Sequence, residues 1–226
     1  GFAVTTIARP YCASQWTGKS YYFDAREDAR VSARPQTVHF PSGDVYHGHW
    51  LDHKPHNYGS MTYANGDRYE GEWTKGKFHG TGTITYPDGR TLEGEFQNGL
   101  IYEGSGLNYL PDGGVQNGTW EEGHLEGQGK HQTKYGEEYA GEYSLGLPHG
   151  LGVLTYPDGR KYGGDWVQGK KHGEGMMSGP GGELRGEWKE DSIWNGTGVL
   201  ASELGETVEG TWAEGVLVGT AKVTYI

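Results

Sequence analysis

Tyr69-Glu-Gly-Glu-Trp-Thr-Lys-Gly-Lys-Phe-His-Gly-Thr-Gly-Thr-Ile-Thr-Tyr-Pro-Asp-Gly-Arg-Thr91 is the stretch whose reading decides the fold. Its first five residues alternate. Tyr69, Gly71 and Trp73 fall on one face and Glu70 and Glu72 on the other, which is the period of a half-exposed strand. Residues 75–80 read as a hairpin loop and residues 81–86 as the returning strand. Pro87-Asp88-Gly89 then reads as a turn whose glycine supplies a positive φ. The unit recurs along the chain as a Gly-x-aromatic pair: Gly48/Trp50, Gly71/Trp73, Gly94/Phe96, Gly118/Trp120, Gly141/Tyr143, Gly164/Trp166, Gly186/Trp188 and Gly210/Trp212. These glycines stand 23, 23, 24, 23, 23, 22 and 24 residues apart. A fixed period of this length marks a repeat architecture. The two 24-residue spacings put their extra residue in the same place, at residues 100–103 and 192–195, which predicts an enlarged hairpin loop there.

This pattern resembles the MORN (membrane occupation and recognition nexus) repeat, Tyr-x-Gly-x-Trp-x-x-Gly-x-x-x-Gly-x-Gly. The resemblance runs through residues 46–226 as eight repeats, and His39-Phe-Pro-Ser-Gly43 adds a half repeat at residues 37–45 because it aligns with Thr85-Tyr-Pro-Asp-Gly89. The departures are local, with His53 in place of the loop glycine and Asn57 in place of the next one in the first repeat. The resemblance implies an all-β protein, an elongated single-layer antiparallel β-meander of tandem hairpins with a grooved face. Two strands per repeat would give roughly 75 Å of sheet. Residues 1–36 do not fit the repeat. They carry Arg9, Arg26, Arg30 and Arg34 with the Tyr21-Tyr22-Phe23 cluster, and read either as a degenerate N-terminal cap or as a basic arm lying on an acidic sheet face.

Composition limits what such a chain can be. Only 33% of its 226 residues are hydrophobic and 42 are glycine, too lean for a conventional two-layer core, yet 13% are aromatic, too rich for a disordered chain. In a one-layer sheet the rings must bury one another. Glycine in mid-strand leaves bare backbone on which a neighbouring ring can lie. The net charge is −11. Residues 1–45 hold five basic and four acidic side chains and the rest of the chain 14 and 26, so the array carries −12. That balance argues against a nucleic-acid partner and against direct binding to anionic membranes. The single Cys12 excludes an intramolecular disulfide framework and leans toward a reducing, cytoplasmic setting. The chain begins at Gly1 rather than Met, which leaves room for a processed segment. Asn117 and Asn195 fit the N-glycosylation sequon, but on positions where Gly and Thr recur anyway.

The candidate binding surface is the aromatic stripe: Tyr69, Trp73, Phe96, Trp120, Tyr139, Tyr143, Tyr162, Trp166, Trp188 and Trp212, expected to line a concave groove rimmed by carboxylates. Aromatic rings anchor partners, and an acidic rim selects a basic or amphipathic segment of a partner protein. The same rings also read simply as the core. His47 and His49 stand where other repeats carry acids and would suit zinc or nickel. A solvated face is the commoner explanation of a His-x-His, so no cofactor is expected. The repeated acidic pairs have no apolar pocket to separate their pKa values, and the sequence holds no phosphate loop or nucleophile elbow, so an enzyme is not expected. The expected function is a non-enzymatic protein-protein interaction scaffold. From the family resemblance it is cytoplasmic and cytoskeleton- or cilium-associated. The alternative is a regulatory or membrane-proximal module of a larger enzyme, of the lipid kinase or SET-domain methyltransferase type. The last segment, residues 216–226, is β-prone and poor in charge, and predicts a homodimer through a C-terminal sheet edge.

Overall fold

The computed structural model describes Ser32, residues 34–201 and residues 206–224. Arg9, Cys12, Arg26, Arg30 and the Tyr21–Phe23 cluster of the expected cap or arm lie outside the described residues. Among the described residues there are seventeen strands. They are β1 (Gln36–His39), β2 (Val45–Leu51), β3 (Lys54–Thr62), β4 (Arg68–Thr74), β5 (Lys77–Thr85), β6 (Thr91–Gln97), β7 (Leu100–Tyr109), β8 (Val115–Glu121), β9 (His124–Gln132), β10 (Glu138–Ser144), β11 (Leu147–Thr155), β12 (Lys161–Val167), β13 (Lys170–Gly179), β14 (Gly182–Lys189), β15 (Ser192–Ala201), β16 (Thr207–Ala213) and β17 (Val216–Thr224). The chain forms two compact units, Gly1–Gly113 with Thr119–His124 and Gly114–Gly118 with Leu125–Ile226. Within the first, β1 to β7 pair in sequence order, each antiparallel to the next. Within the second, β9 to β17 do the same. The all-β hairpin meander expected from the repeat is what forms.

Two kinds of turn alternate, and the sequence explains both. Between repeats a three-residue loop closes as the spacing of Pro-Asp-Gly requires. The Gly89 amide donates to the Tyr86 carbonyl and the Tyr86 amide to the Arg90 carbonyl, with Gly89 at φ 84. The same pair of bonds occurs at Phe40/Gly43/Asp44, Tyr63/Gly66/Asp67, Thr133/Gly136/Glu137 and Tyr156/Gly159/Arg160, so the expected half repeat has its turn. Asp88 and Asp158 steady their loops by accepting the amides of Arg90 and Arg160.

Within each repeat the hairpin is tighter than the sequence suggests. The loop expected at residues 75–80 shrinks to Lys75-Gly76, at φ 51 and 84, and β5 resumes at Lys77. Phe78 draws the segment into the strand because it stacks flat on Tyr69, 3.8 Å between centroids and 12° between planes. The lost length reappears as a bulge: Gly71 pairs with Gly82 but Trp73 with Phe78. Gly80 sits in this bulge at φ 55, where L side chains are rare. In the first repeat His53 and Asn57 take over these left-handed positions at φ 61 and 55, which their short polar side chains tolerate best. The enlarged loops expected at residues 100–103 and 192–195 are a second correction. Both segments are strand, in β7 and β15, and the extra residue is absorbed as a register shift at Glu95/Phe96 and Glu187/Trp188.

The tight turn carries one ill-suited residue. Leu145 holds φ 51 and is 70% exposed, at the position Asn98 occupies in the third repeat. Its amide donates to Glu126, a bond that does not need the leucine side chain. Leu145→Asn is expected to raise stability by about 1 kcal/mol, since a left-handed conformation costs a branched L-residue about that much. Urea melts would show it as a higher midpoint with unchanged slope, and a lower midpoint would contradict it.

Candidate functional site

The two faces of each strand have separate duties. On one, tyrosine rings lie on paired glycines. Gly48 pairs with Gly59, Gly71 with Gly82, Gly141 with Gly152 and Gly164 with Gly175. A Cβ on Gly71 would stand 2.5 Å from the Gly82 Cα, and one on Gly152 would overlap the Tyr139 hydroxyl and lie 2.7 Å from its Cε2. Each ring is then tied down at its far end. The hydroxyls of Tyr46, Tyr69, Tyr139 and Tyr162 donate to the carbonyls of His49, Glu72, Glu142 and Asp165, at 2.9, 2.8, 3.0 and 3.1 Å. The indoles of Trp73, Trp166 and Trp188 donate back to the glycine carbonyls of the preceding hairpin, Gly59, Gly152 and Gly175, at 3.1 to 3.2 Å. Edge-on ring contacts link one repeat to the next, as in Tyr139–Trp166 and Tyr162–Trp188, both 5.1 Å.

Of the ten rings of the expected groove, four in the first unit and six in the second, none is more than 7% exposed. Their surface is spent on one another and on bare backbone. Burial lifts the phenols of Tyr46, Tyr69, Tyr143 and Tyr162 well above their ordinary range, and that of Tyr139 to about 12. Nearby carboxylates add to it at Tyr69, Tyr139 and Tyr162. The phenols therefore stay neutral through the physiological range, and those of Tyr46, Tyr69, Tyr139 and Tyr162 keep donating to their carbonyls.

One residue breaks the stripe. Lys171 is paired opposite Trp166, where other repeats place Phe78, Ile101 or Ile193, and it is 9% exposed. Its ammonium lies 5.4 to 5.6 Å from the centroids of Tyr156, Tyr162 and Trp188. The ring quadrupoles supply part of what desolvation removes.

The acidic groups expected as a rim are partly structural. Glu72 accepts the Thr81 amide at 3.1 Å and Asp165 the Glu174 amide at 2.9 Å, so these carboxylates cap the bulge. The Glu142 carboxylate lies over Gly150 in the same way. Asn195, the second sequon asparagine, has both ends engaged: Nδ2 donates to Glu187 and Oδ1 accepts the Glu214 amide. His47 Nδ1 is 2.8 Å from the Thr37 hydroxyl, and His49 Nδ1 is 3.4 Å from the Tyr58 carbonyl. Among the described residues no three His, Cys, Asp or Glu side chains are grouped to hold a metal ion.

The opposite face is where the units differ. In the first unit a row of directly opposed residues runs His47, Ser60, Glu70, Thr83, Glu93, Ser105, polar throughout. In the second the corresponding row runs Lys130, Ala140, Val153, Gly163, Met176, Arg185. Four consecutive strands thus carry no charge in the row, and Val153, 45% exposed, leans to within 3.7 Å of where a Gly163 Cβ would be. Leu151, 63% exposed, adjoins it. Leu151, Val153 and Ala140, with Asn117, Gln128, Lys130, Glu142 and the glycine backbone between them, line an open groove of about 830 Å³. Sequence reasoning missed this row because its members share a face only once the strand register is known.

These features define a tandem β-hairpin array held by glycine-seated rings. The family model for the MORN repeat matches residues 46–68, 69–89, 117–133, 139–159 and 162–183, and the chain belongs to that repeat family. MORN repeats suggest a protein-interaction module. Among curated proteins no sequence matches it. Solved structures similar to it include the G-box domain of the microcephaly protein CPAP, for which a role in centriole elongation is suggested. That domain is 16% identical with a TM-score of 0.34, over 85% of this chain and 99% of that one. They also include the TCP10 domain of Danio rerio CPAP, 17% identical with a TM-score of 0.35, over 84% and 94%. The same domain in complex with a peptide of Danio rerio STIL gives 17% and 0.34, over 85% and 94%. Among the described residues no helix is long and apolar enough to cross a membrane.

Proposed function

We propose that this chain is a non-enzymatic scaffold that holds a segment of a partner protein on the face opposite its rings, in a cytoplasmic, cytoskeletal or ciliary setting. The observation that carries the proposal is the open groove of about 830 Å³ over β8 to β12, on a face with exposed Leu151 and Val153. Buried glycine-seated rings make the sheet a firm support, and the exposed apolar side chains supply contact area that water does not favour. The test is affinity capture from ciliated cells with the intact chain and with Leu151→Glu. Cytoskeletal proteins retained by the first and lost with the second support the reading, and equal retention, or no enrichment over beads, rejects it.

The array also pairs with a second copy of itself through β17. Among the described residues of the second unit this strand pairs with β16 alone, and Val216, Leu217, Val218 and Val223 are exposed along it. An apolar edge strand is a template for another strand. Light scattering should give a dimer for the intact chain and a monomer for Val218→Lys, because an edge lysine opposes strand addition. A monomer in both would end this part of the proposal.

A further inference from the structure

We infer that the row Ala140–Val153–Gly163–Met176 is a seat for an amphipathic helix of a partner protein, with acidic side chains at both ends of its apolar stripe. The inference rests on the scaffold reading and adds the partner's chemistry. The row crosses four strands, and residues directly opposed in antiparallel pairs project on the same side, so Ala140, Val153 and Met176 form one continuous neutral track over the bare Gly163. At each end the next residue in register is a cation, Lys130 on β9 and Arg185 on β14. Both are exposed, in ion pairs with Glu138 and Glu183 at 2.8 Å, and pairs of that kind are weak enough to exchange partners.

The form of the partner follows from where the row lies. It is on the face of the sheet, whose strand amides and carbonyls are already paired, so an added segment gains no ladder hydrogen bonds there. A helix satisfies its own backbone and offers a stripe of side chains. From β9 to β14 is five strand spacings, about 24 Å. That is the length of about 16 helical residues. Glu142 and Asp165, which flank the row on β10 and β12, are drawn aside over the bulge glycines Gly150 and Gly173, and this leaves the middle of the track neutral. The corresponding row in the first unit, with Glu70 and Glu93 in it, offers no such track.

The test uses the full chain and two blocked 18-residue helical peptides with leucine at i, i+3, i+4 and i+7 spacing. One carries glutamates at both ends and the other lysines. Fluorescence anisotropy is expected to show micromolar binding of the glutamate-ended peptide and at least tenfold weaker binding of the lysine-ended one. Val153→Glu should abolish binding of the glutamate-ended peptide. The double variant Lys130→Glu/Arg185→Glu should reverse the preference, and circular dichroism of each variant should match the parent. Equal binding of the two peptides, a preference for lysine ends, binding that survives Val153→Glu, or no binding of either peptide overturns the inference. If the peptide result fails while Leu151→Glu still removes captured partners, the scaffold stands without this helix seat. If capture fails as well, the scaffold reading falls with it.

Discussion

Gly152→Ala should destabilise the second unit by about 3 kcal/mol, one of the two largest effects expected from the structure, although it adds a single methyl group to a strand. Elsewhere in a strand the change would be neutral or favourable, because alanine restricts the unfolded chain more than glycine does. At this position the new Cβ would overlap the Tyr139 hydroxyl and ring edge. The ring has no room to retreat, since it is held by the 3.0 Å bond to the Glu142 carbonyl and by edge contacts to Tyr143 and Trp166 at 5.1 Å each. Overpacking of a rigid site costs about 1–3 kcal/mol, and loss of the hydroxyl bond adds about 1 more. Denaturant unfolding followed by tryptophan fluorescence measures it. Because each repeat contacts mainly its neighbours, the loss should open the region around β10 to β12 first. A change below about 0.5 kcal/mol, within the range of an ordinary surface substitution, would mean that the glycine is not needed there.

Alkaline pH is the second large effect. In the unfolded chain a tyrosine ionises near pH 10. Burial, the main cause, raises the folded values, to about 12 at Tyr139 and further at Tyr143 and Tyr162. The sign follows directly: above pH 10 the unfolded state has given up protons that the folded state still binds, so stability falls as pH rises. The full contribution is present below pH 10 and is lost between there and the folded values. The slope reaches about 1.4 kcal/mol per pH unit for each such tyrosine, so the second unit should unfold between about pH 11 and 12. Stability curves taken from pH 8 to 12 would show a plateau and then a steep fall. Tyr139→Phe should lower the plateau by about 1 kcal/mol and flatten the fall. A curve level to pH 12 would contradict the burial of these phenols.

How far the sequence could be read depended on whether a feature repeated. The Gly-x-aromatic spacing is sufficient for the meander, and Pro87-Asp88-Gly89 for the turn, because both are local and recur with the period. The ring-on-glycine packing was legible for the same reason. The loop at residues 75–80 was misread because its shortening depends on Phe78 finding the Tyr69 ring, a contact that no local rule supplies. The insertion at residues 100–103 was misread as loop because a strand can also absorb a residue, by shifting register. Lys171 is visible in the sequence only as a charge at a position where other repeats are apolar, a signal that a search for recurring residues passes over. The row on the opposite face was least legible. Ala140, Val153, Gly163 and Met176 belong to four strands, and their alignment is a property of pairing rather than of any one repeat. The ten rings expected to line a groove are each at most 7% exposed, buried far more completely than a groove lining requires.

A double-mutant cycle between Tyr139 and Gly152 tests most directly whether rings seated on glycines hold this sheet. Stability would be measured for the parent, Gly152→Ala, Tyr139→Ala and the double variant. If the ring occupies the space above Gly152, the alanine methyl should cost about 3 kcal/mol in the parent and less than about 1 once the ring is gone, a coupling of at least 2 kcal/mol. Additive changes, with coupling near zero, would mean that the ring and the glycine do not share that space.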